Sequence, residues 1–357
     1  MTSSPPSGLP MGSTVAVVGA GPCGLAAAIA LTKAGYRAVV FDKGGVCASI
    51  MMYPTYATFH STPERLAIGG MPFAIAGEKP TRRDALAYYR SLVAHFGFDV
   101  CQYEPVERIN RQDDAEVASS ATPANGSRRD DPARRSFALQ SRPRGGEYRS
   151  TLARAVVVAT GCFGAPNRLG VPGEDLPHVA HVYREGHEAF QRHVVVVGGG
   201  NSAVESALDL FRSGARVTLV HFGPHMDSGV KSWIRPDIEN RIRRGDISAR
   251  WNARVTSIGP AHVHVETPEG PLNLPAEHVY LLTGFRPDSS LLASLGVEID
   301  SATGVPQHHN GTMETSVPGV YLAGVLTAGF NANRVFIENG RDHGELLARA
   351  IAGETAR

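Results

Sequence analysis

The sequence predicts an α/β protein with two similar domains, each built around a parallel sheet. A buried β-branched run, a glycine-rich turn and an apolar helix occur in that order near the N-terminus and again from residue 193. Further apolar strands at residues 156–161, 281–287 and 319–324 lie between and after these two motifs. We therefore expect two Rossmann-like domains, the first of which is interrupted by the second.

The composition argues against a nucleic-acid or membrane partner. The chain of 357 residues has 35 lysine and arginine residues against 34 acidic ones, so no broad basic surface is expected. No run reaches the eighteen or so apolar residues of a membrane helix. Residues 1–13 lack the apolar core of a secretory signal and are predicted to be a loose tail, so the expected location is cytoplasmic.

The first motif predicts a dinucleotide-binding site. Residues 14–20 form a buried strand, and Gly19, Gly21 and Gly24 supply a GxGxxG turn after it. The second strand ends on Asp42, about 20 residues downstream, where a carboxylate can bind the hydroxyls of a ribose. The backbone amides of the turn and the N-terminus of the helix then face a pyrophosphate.

The second motif, residues 193–222, has the pattern Gly198-x-Gly200-x-x-Ala203. Its second strand ends on His221 in place of an acid, and the cations Lys231, Arg235 and Arg241 follow. Because an acid would repel a 2′-phosphate and cations would attract it, this site is predicted to prefer NADPH to NADH. The alternative interpretation is that these cations form the solvated surface of a basic helix.

Together the two motifs predict FAD in the first domain and NADPH in the second, with electrons passing from nicotinamide to flavin. The expected boundaries are a tail at 1–13, an FAD domain at 14–172 and 287–357, and an NADPH domain at 173–286. The residues assigned to FAD are Gly19, Gly21, Pro22, Gly24, Asp42, Lys43, His60, Thr62, Thr160, Gly161, Gly324, Phe336 and Ile337. Those assigned to NADPH are Gly198, Gly200, Asn201, Ser202, Ala203, His221, Lys231 and Arg235.

Three other segments complete the predicted architecture. A helix is expected over residues 81–96, capped by Thr81 with Asp84. The residues predicted to form its core face are Leu86, Tyr89, Val93 and Phe96. Residues 111–135 lack periodicity and are expected to form a mobile excursion, whereas Asn333 and the residues after it are predicted to form one helix to the end of the chain.

The four cysteines, Cys23, Cys47, Cys101 and Cys162, show no CxxC pair, disulfide framework or metal-binding spacing. Cys23 differs from the others because it occupies the first glycine turn, where the helix dipole would lower its pKa and the nearby pyrophosphate would raise it. These opposing effects leave the sign open. Cys23 is either a nucleophile or a small residue that the tight turn requires.

The two glycine motifs, the ATG and TGF strand ends and the GVYLAG strand resemble the thioredoxin reductase architecture. That family carries a CxxC before the NADPH-binding strand, but residues 178–193 contain no cysteine. The segments GPCGLAAAI, TFHSTPERLAIGGMPF, VKSWIRPDIENRI and FIENGRDHG are more specific. They are similar to the YpdA group, the proposed bacillithiol disulfide reductases. Val325 stands where thioredoxin reductases carry an aspartate that contacts FAD.

The resemblance implies an NADPH-dependent flavoenzyme that reduces bacillithiol disulfide, with Cys23 as the reacting cysteine. It also implies a homo-oligomer, because related reductases form dimers. Two alternatives stay open. One is a ferredoxin or flavodoxin NADP⁺ reductase, which passes electrons to a redox protein and needs no CxxC, and the other is a non-enzymatic redox sensor.

Overall fold

A computed structural model of the chain describes residues 14–112 and 136–353. The predicted tail at 1–13 and almost all of the predicted excursion at 111–135 lie outside the described residues. The chain divides into two compact units. Unit 1 comprises Met1–Met51, Thr58–Gly164 and Pro287–Arg357, and unit 2 comprises Met52–Ala57 and Ala165–Arg286.

The strands of the described residues are numbered in chain order. They are β1 (Thr14–Val18), β2 (Arg37–Phe41), β3 (Asp99–Cys101), β4 (Val106–Gln112), β5 (Ser136–Ser141), β6 (Arg149–Ala153), β7 (Ala155–Val158), β8 (Ala165–Pro166), β9 (Val179–Ala180), β10 (His193–Val197), β11 (Arg216–Val220), β12 (Ser248–Arg250), β13 (Arg254–Ile258), β14 (His262–Thr267), β15 (Gly270–Pro275), β16 (His278–Leu281), β17 (Phe285–Arg286) and β18 (Val320–Leu322).

The helices are α1 (Pro22–Lys33), α2 (Ala48–Met51), α3 (Pro63–Leu66), α4 (Arg82–Phe96), α5 (Asn201–Arg212), α6 (Arg235–Arg243), α7 (Ser290–Ser294), α8 (Ile337–Gly340) and α9 (His343–Ile351). Short 3₁₀ turns cover His187–Ala189, Gly324–Ala328 and Ala332–Arg334.

Unit 1 is organised around a parallel five-stranded sheet of order β18-β7-β1-β2-β3. Four of its strands, β18, β7, β1 and β2, are apolar and almost entirely buried, because helices or the antiparallel sheet β4-β5-β6 cover them. In the register of the sheet, Val18 pairs with Phe41 on one side and with Val158 on the other. The residues after these strand ends, Gly19, Asp42 and Ala159, therefore meet at one edge of the sheet.

Unit 2 repeats this plan with a parallel sheet of order β12-β11-β10-β16-β9. Its core lies between this sheet, α5 and α6 on one face and the antiparallel sheet β13-β14-β15 on the other. The two sheets confirm the predicted α/β class with two parallel-sheet domains. In both units the glycine motif follows the third strand of the order, which is β1 in unit 1 and β10 in unit 2. The chain connections to the strands on its two sides run in opposite directions from this strand.

Unit 2 begins at Ala165 and not at residue 173 as expected. The reason is that β8 pairs antiparallel with β17, which places Ala165 opposite Arg286. The short segment Met52–Ala57 also belongs to unit 2, where the amide of Thr55 donates a 3.1 Å hydrogen bond to the carbonyl of Arg184. No composition change in the sequence marks this segment.

Helix α4 has the predicted capping box, in which the Thr81 side chain accepts from the Asp84 amide. Its predicted core face is partly wrong. The buried residues are Ala85, Tyr88, Tyr89 and Leu92, whereas Leu86, Val93 and Phe96 are half-buried. The face is rotated because both tyrosine hydroxyls bond to backbone carbonyls, Tyr88 to Met71 at 2.8 Å and Tyr89 to Leu66 at 3.0 Å.

The prediction of one continuous C-terminal helix is also wrong. The chain from Asn333 forms the end of a 3₁₀ turn, the four-residue helix α8 and then the separate helix α9. The break lies at Arg341 and Asp342, where the Arg341 guanidinium bonds to the backbone carbonyls of Glu64 and Ala67. Tertiary contacts of one arginine thus redirect a segment that has helical periodicity.

Candidate active site

The first glycine turn connects β1 to α1. Gly19 has a φ of +117°, and a methyl group added there would lie 2.2 Å from the carbonyl oxygen of Ala159. A methyl group at Gly24 would lie 1.9 Å from the carbonyl oxygen of Gly19. At Gly21 no atom lies within 4 Å of the methyl position, and no side chain caps α1. The turn thus offers an uncapped helix N-terminus that a pyrophosphate can approach closely.

Asp42 lies at the end of β2 beside this turn. One carboxylate oxygen accepts a 2.7 Å hydrogen bond from the amide of Ala20, and the other accepts one of 2.7 Å from the amide of Gly44. Each oxygen keeps a second lone pair, so Asp42 can hold the turn and still accept from a ribose. Lys43 is exposed, and its Nζ lies 3.9 Å from a methyl position at Gly164.

The strand ends on the other side of β1 contribute Thr160, Gly161 and Gly324. The Thr160 hydroxyl is buried and has no hydrogen-bond partner among the described residues. Gly161 and Gly324 adopt φ values of +74° and +76°, and the Gly324 amide donates a 3.2 Å hydrogen bond to Nδ1 of His343. An unpaired buried hydroxyl beside an open glycine turn fits a bound FAD.

Cys23 is the second residue of α1, and its sulfur packs against two glycines. Methyl groups at Gly324 and Gly340 would lie 3.0 and 2.9 Å from Sγ. Burial, followed by the carboxylates of Glu338 and Asp342, raises the pKa of Cys23 to about 12. The sign that the sequence left open is therefore positive, and Cys23 is a thiol at neutral pH.

Two of the four segments that carry the family resemblance are hydrogen-bonded to each other. The Ser61 hydroxyl donates to the Glu338 carboxylate. The Arg341 guanidinium donates to the carbonyl oxygens of Glu64 and Ala67 at 2.9 and 2.5 Å. These bonds fix α3 against α8 beside Cys23, which no pattern in the sequence indicates.

Other residues assigned to FAD, among them His60, Thr62 and Phe336, lie outside the first glycine turn. His60 is exposed, and the Thr62 hydroxyl bonds to Glu64, whose pKa it lowers. The amide of Phe336 donates a 2.8 Å hydrogen bond to Oδ1 of Asn339. Helix α8 begins at the next residue and has only four residues, and the assignment of Phe336 and Ile337 to FAD stays a prediction.

The second glycine turn connects β10 to α5. Gly198 has a φ of +144°, and a methyl group there would lie 2.4 Å from the carbonyl oxygen of Leu282 and 3.1 Å from Cβ of Ala203. No side chain caps α5, whose first turn carries the exposed Ser202. This turn has the same close approaches as the first and fits the pyrophosphate of NADPH.

Asn201 serves the loop that follows β11. Its Nδ2 donates to the carbonyl of Gly229, and its Oδ1 accepts from the amide of Lys231, each at 3.0 Å. Both polar atoms of the side chain therefore clamp this loop to the start of α5. The assignment of Asn201 to the cofactor remains a proposal. Its side chain is engaged by the loop, but its backbone at the helix N-terminus can still contact the cofactor.

The cations predicted to bind the 2′-phosphate are paired with carboxylates. The pairs are Lys231 with Glu205 at 2.7 Å, Arg235 with Glu239 at 3.5 Å, and Arg241 with Asp237 at 3.2 Å and Asp246 at 3.1 Å. The preference for NADPH was predicted from these cations and from the absence of an acid at the strand end, and the cations support it less strongly because their partners neutralise much of the charge.

His221, at the end of β11, is 4% exposed. Its Nε2 lies 3.4 Å from a carboxylate oxygen of Asp227, and its Nδ1 has no hydrogen-bond partner among the described residues. Burial lowers the pKa of His221, so its imidazole is neutral at neutral pH. It can therefore contact an adenosine ribose or phosphate by hydrogen bonding but not by charge.

The described residues form neither a membrane-spanning helix nor a cluster of metal ligands. None of the helices at 14–112 and 136–353 is both long enough and apolar enough to cross a bilayer. Within the same residues, no three or more His, Cys, Asp or Glu side chains are grouped so that they could hold a metal ion.

The family model described as pyridine nucleotide-disulphide oxidoreductase matches residues 16–124 and 137–324. The chain is 40% identical over 337 residues to bacilliredoxin reductase Bdr of Bacillus subtilis (strain 168), which covers 94% of this chain and 96% of the relative. The solved structure of bacillithiol disulfide reductase Bdr (YpdA) from Bacillus cereus has 40% identity and a TM-score of 0.87 and covers 97% of this chain and 100% of that one. The solved structure of the Staphylococcus aureus protein of that name has 32% identity and a TM-score of 0.83, and it covers 96% of this chain and 99% of that one.

These similarities extend over both units and confirm the resemblance to the YpdA group that the four sequence segments indicated. They also confirm FAD and NADPH as the cofactor pair, which the paired cations alone would not have supported. The chain belongs to the pyridine nucleotide-disulphide oxidoreductase family and is an oxidoreductase that uses FAD and NADPH.

Proposed function

We propose that this enzyme reduces the disulfide of a low-molecular-weight thiol, with bacillithiol disulfide as the substrate. The observation that carries the proposal is the 40% identity, over 94% of this chain, to a bacilliredoxin reductase. Cys23 supports it, because the chain has no CxxC to pass electrons to thioredoxin and a substrate disulfide supplies its own second sulfur.

The residues of unit 1 would hold FAD through the first glycine turn, Asp42 and Thr160, and those of unit 2 would hold NADPH through the second turn. Bound there, the two cofactors supply hydride transfer from nicotinamide and the electron pair that splits the disulfide. The individual contacts remain part of the proposal.

In the proposed reaction, the Cys23 sulfur loses its proton and attacks one sulfur of the substrate. The substrate S–S bond breaks, one thiolate leaves and takes up a proton, and a mixed disulfide forms on Cys23. Two electrons that originate in NADPH, with two protons, one from NADPH and one from water, then release the second thiol and restore the Cys23 thiol. Because burial is the main cause of its raised pKa, movement of Cys23 toward water would favour the thiolate.

The decisive experiment is anaerobic. The FAD-loaded protein is reduced with one equivalent of NADPH, bacillithiol disulfide is added, and the return of the flavin absorbance is followed. We expect rapid return with the wild type and with the control Cys162→Ala, but not with Cys23→Ala. Rapid return of the flavin absorbance with Cys23→Ala would show that Cys23 takes no part in the mechanism. No return with the wild type would exclude bacillithiol disulfide as the substrate.

The packing of Cys23 favours one alternative function. A thiol held between Gly324 and Gly340 with a pKa of about 12 can also serve only as a small residue in a tight turn. In that case the enzyme would be a ferredoxin or flavodoxin NADP⁺ reductase. The same experiment distinguishes the two, because the flavin would then stay reduced until a redox protein is supplied.

We also infer a cytoplasmic location and a homodimer, both on the resemblance to related reductases. Light scattering of the FAD-loaded protein measures the oligomer directly, and a mass of one chain, 38.0 kDa, would contradict the dimer.

A further inference from the structure

A buried carboxylate and a half-buried histidine lie next to each other in unit 2. Glu174 is 4% exposed, and its two carboxylate oxygens accept hydrogen bonds from the amides of Leu169 at 2.9 Å and Gly170 at 2.8 Å. Nε2 of His181 lies 3.6 Å from the same carboxylate. The backbone bonds fix Glu174, whose negative charge therefore lies at a defined position beside Nε2 of the imidazole.

The other ring nitrogen of His181 has no partner. Nδ1 is buried and makes no hydrogen bond to any described residue. A carboxylate beside Nε2 favours the tautomer with its proton on that nitrogen, which leaves Nδ1 as an acceptor. A buried acceptor without a donor is costly, so this position is suited to a ligand that brings an N–H group.

The register of the sheet places His181 at the ligand-binding edge of unit 2. Ala180 pairs with Tyr280 in β16, and β16 pairs with β10 so that Leu281 lies opposite Val197. His181 therefore follows β9 at the level of the glycine turn that begins at Gly198. Two strand spacings of about 4.8 Å separate the strands, so His181 lies roughly 10 Å along the edge from this turn.

The direction along the edge identifies the part of the dinucleotide that reaches His181. In this fold the adenosine ribose binds at the end of the second strand, here β11 with His221. β9 lies on the opposite side of β10, beyond β16. A dinucleotide whose pyrophosphate lies over the Gly198 turn therefore extends its nicotinamide end toward β16 and β9.

We propose that His181, oriented by Glu174, accepts a hydrogen bond from the carboxamide N–H₂ of the nicotinamide end of NADPH. The carboxamide is the only N–H₂ group at that end of the molecule, and its donor matches the unpaired acceptor at Nδ1. His181 is a positioning residue that sets how the nicotinamide is held. This inference rests on the proposed binding of NADPH by unit 2.

The experiment measures binding to the full FAD-loaded protein and not turnover. Three ligands are titrated by calorimetry: NADP⁺, its nicotinic acid analogue with a carboxylate in place of the carboxamide, and 2′,5′-ADP, which has only the adenosine half. His181→Phe removes the acceptor and keeps the ring, and His181→Asn keeps an acceptor near Nδ1. His187→Ala is the matched control, because His187 is an exposed histidine of the same segment.

We expect His181→Phe to weaken NADP⁺ binding roughly tenfold, as for one lost hydrogen bond, and to leave 2′,5′-ADP unchanged. The wild type should bind NADP⁺ more tightly than the acid analogue, which brings a second acceptor, and His181→Phe should lose this discrimination. His181→Asn should retain most of the affinity, and His187→Ala should match the wild type.

Equal affinity of the wild type and His181→Phe for NADP⁺ would overturn the inference while leaving the proposed function intact. An equal loss for 2′,5′-ADP would also overturn it, since it would indicate general damage to unit 2. If the wild type itself does not bind NADP⁺, the use of NADPH by this unit fails, and the proposed function fails with it.

Discussion

The sulfur of Cys23 lies directly against Gly340, where an added methyl group would stand 2.9 Å from Sγ. The contact joins the first turn of α1 to α8, two elements that are more than three hundred residues apart in the chain. Contacts of this kind bury the sulfur, and burial is the main cause of the raised pKa that keeps Cys23 protonated. The packing around the sulfur therefore leaves no room for a larger residue at position 340.

Gly340→Ala tests this packing. The added methyl group overlaps the sulfur, and we expect it to destabilise the protein by about 1–3 kcal/mol, as overpacked cores do. In a Cys23→Ala background the cost should fall by at least about 1 kcal/mol, because the two sites are in contact. Urea unfolding of the four proteins gives the coupling. If Gly340→Ala lowered the free energy of unfolding equally in both backgrounds, the contact would be contradicted. A Cys162→Ala background serves as the control.

The raised pKa of Cys23 predicts the pH dependence of its alkylation. Only the thiolate reacts with iodoacetamide, and the pKa is raised from 9.0 to about 12. The rate at Cys23 should therefore rise about tenfold per pH unit from pH 7 to pH 10 without levelling off. Mass spectrometry of the peptide that contains Cys23 measures the rate. A plateau between pH 6 and pH 8 would show an activated thiolate and contradict the burial.

The glycines of the first turn have different roles, and substitutions should separate them. Gly24→Ala places a methyl group 1.9 Å from a backbone oxygen, so we expect failure to fold. Gly21→Ala meets no protein atom within 4 Å, so the protein should fold but bind FAD at least about tenfold more weakly. Circular dichroism and FAD titration measure the two effects. Tight FAD binding by Gly21→Ala would contradict the position of the pyrophosphate.

Glu205→Gln tests whether Lys231 contributes to the choice of NADPH. Its carboxylate lies 2.7 Å from Nζ of Lys231 and competes with a phosphate for that charge. Removing the carboxylate should lower the KM for NADPH roughly threefold and change the KM for NADH less. Steady-state kinetics with both nucleotides provide the ratio. Glu239→Gln, which alters the pairing of Arg235, serves as a second variant, and an unchanged ratio in both would exclude these cations from selectivity.

Local patterns in the sequence predicted the two glycine turns and their sheets. A strand, a glycine turn, a helix and a second strand lie within about thirty residues, and their geometry follows from sterics that adjacent residues impose. Asp42 is an example, since it reaches the turn because β2 pairs with β1 along its whole length. Cys23 was found as a candidate for the same reason.

The features that could not be predicted depend on residues far apart in the chain. The sign of the pKa shift at Cys23 depends on burial and on Glu338 and Asp342, which no spacing relates to the first turn. The pairing of Lys231 depends on Glu205 on another element. His181 belongs to no sequence motif, and it is distinguished by its unpaired Nδ1 and by the position of Glu174 beside it.

The two hydrogen bonds that Asp42 accepts from Ala20 and Gly44 are made entirely by protein atoms. They hold the shape of the turn without help from any bound nucleotide. The flavin should therefore be exchangeable: protein stripped of FAD by mild treatment should take up a deazaflavin or a halogenated analogue without refolding. Such reconstituted forms would allow the two half-reactions to be studied with cofactors of chosen reduction potential.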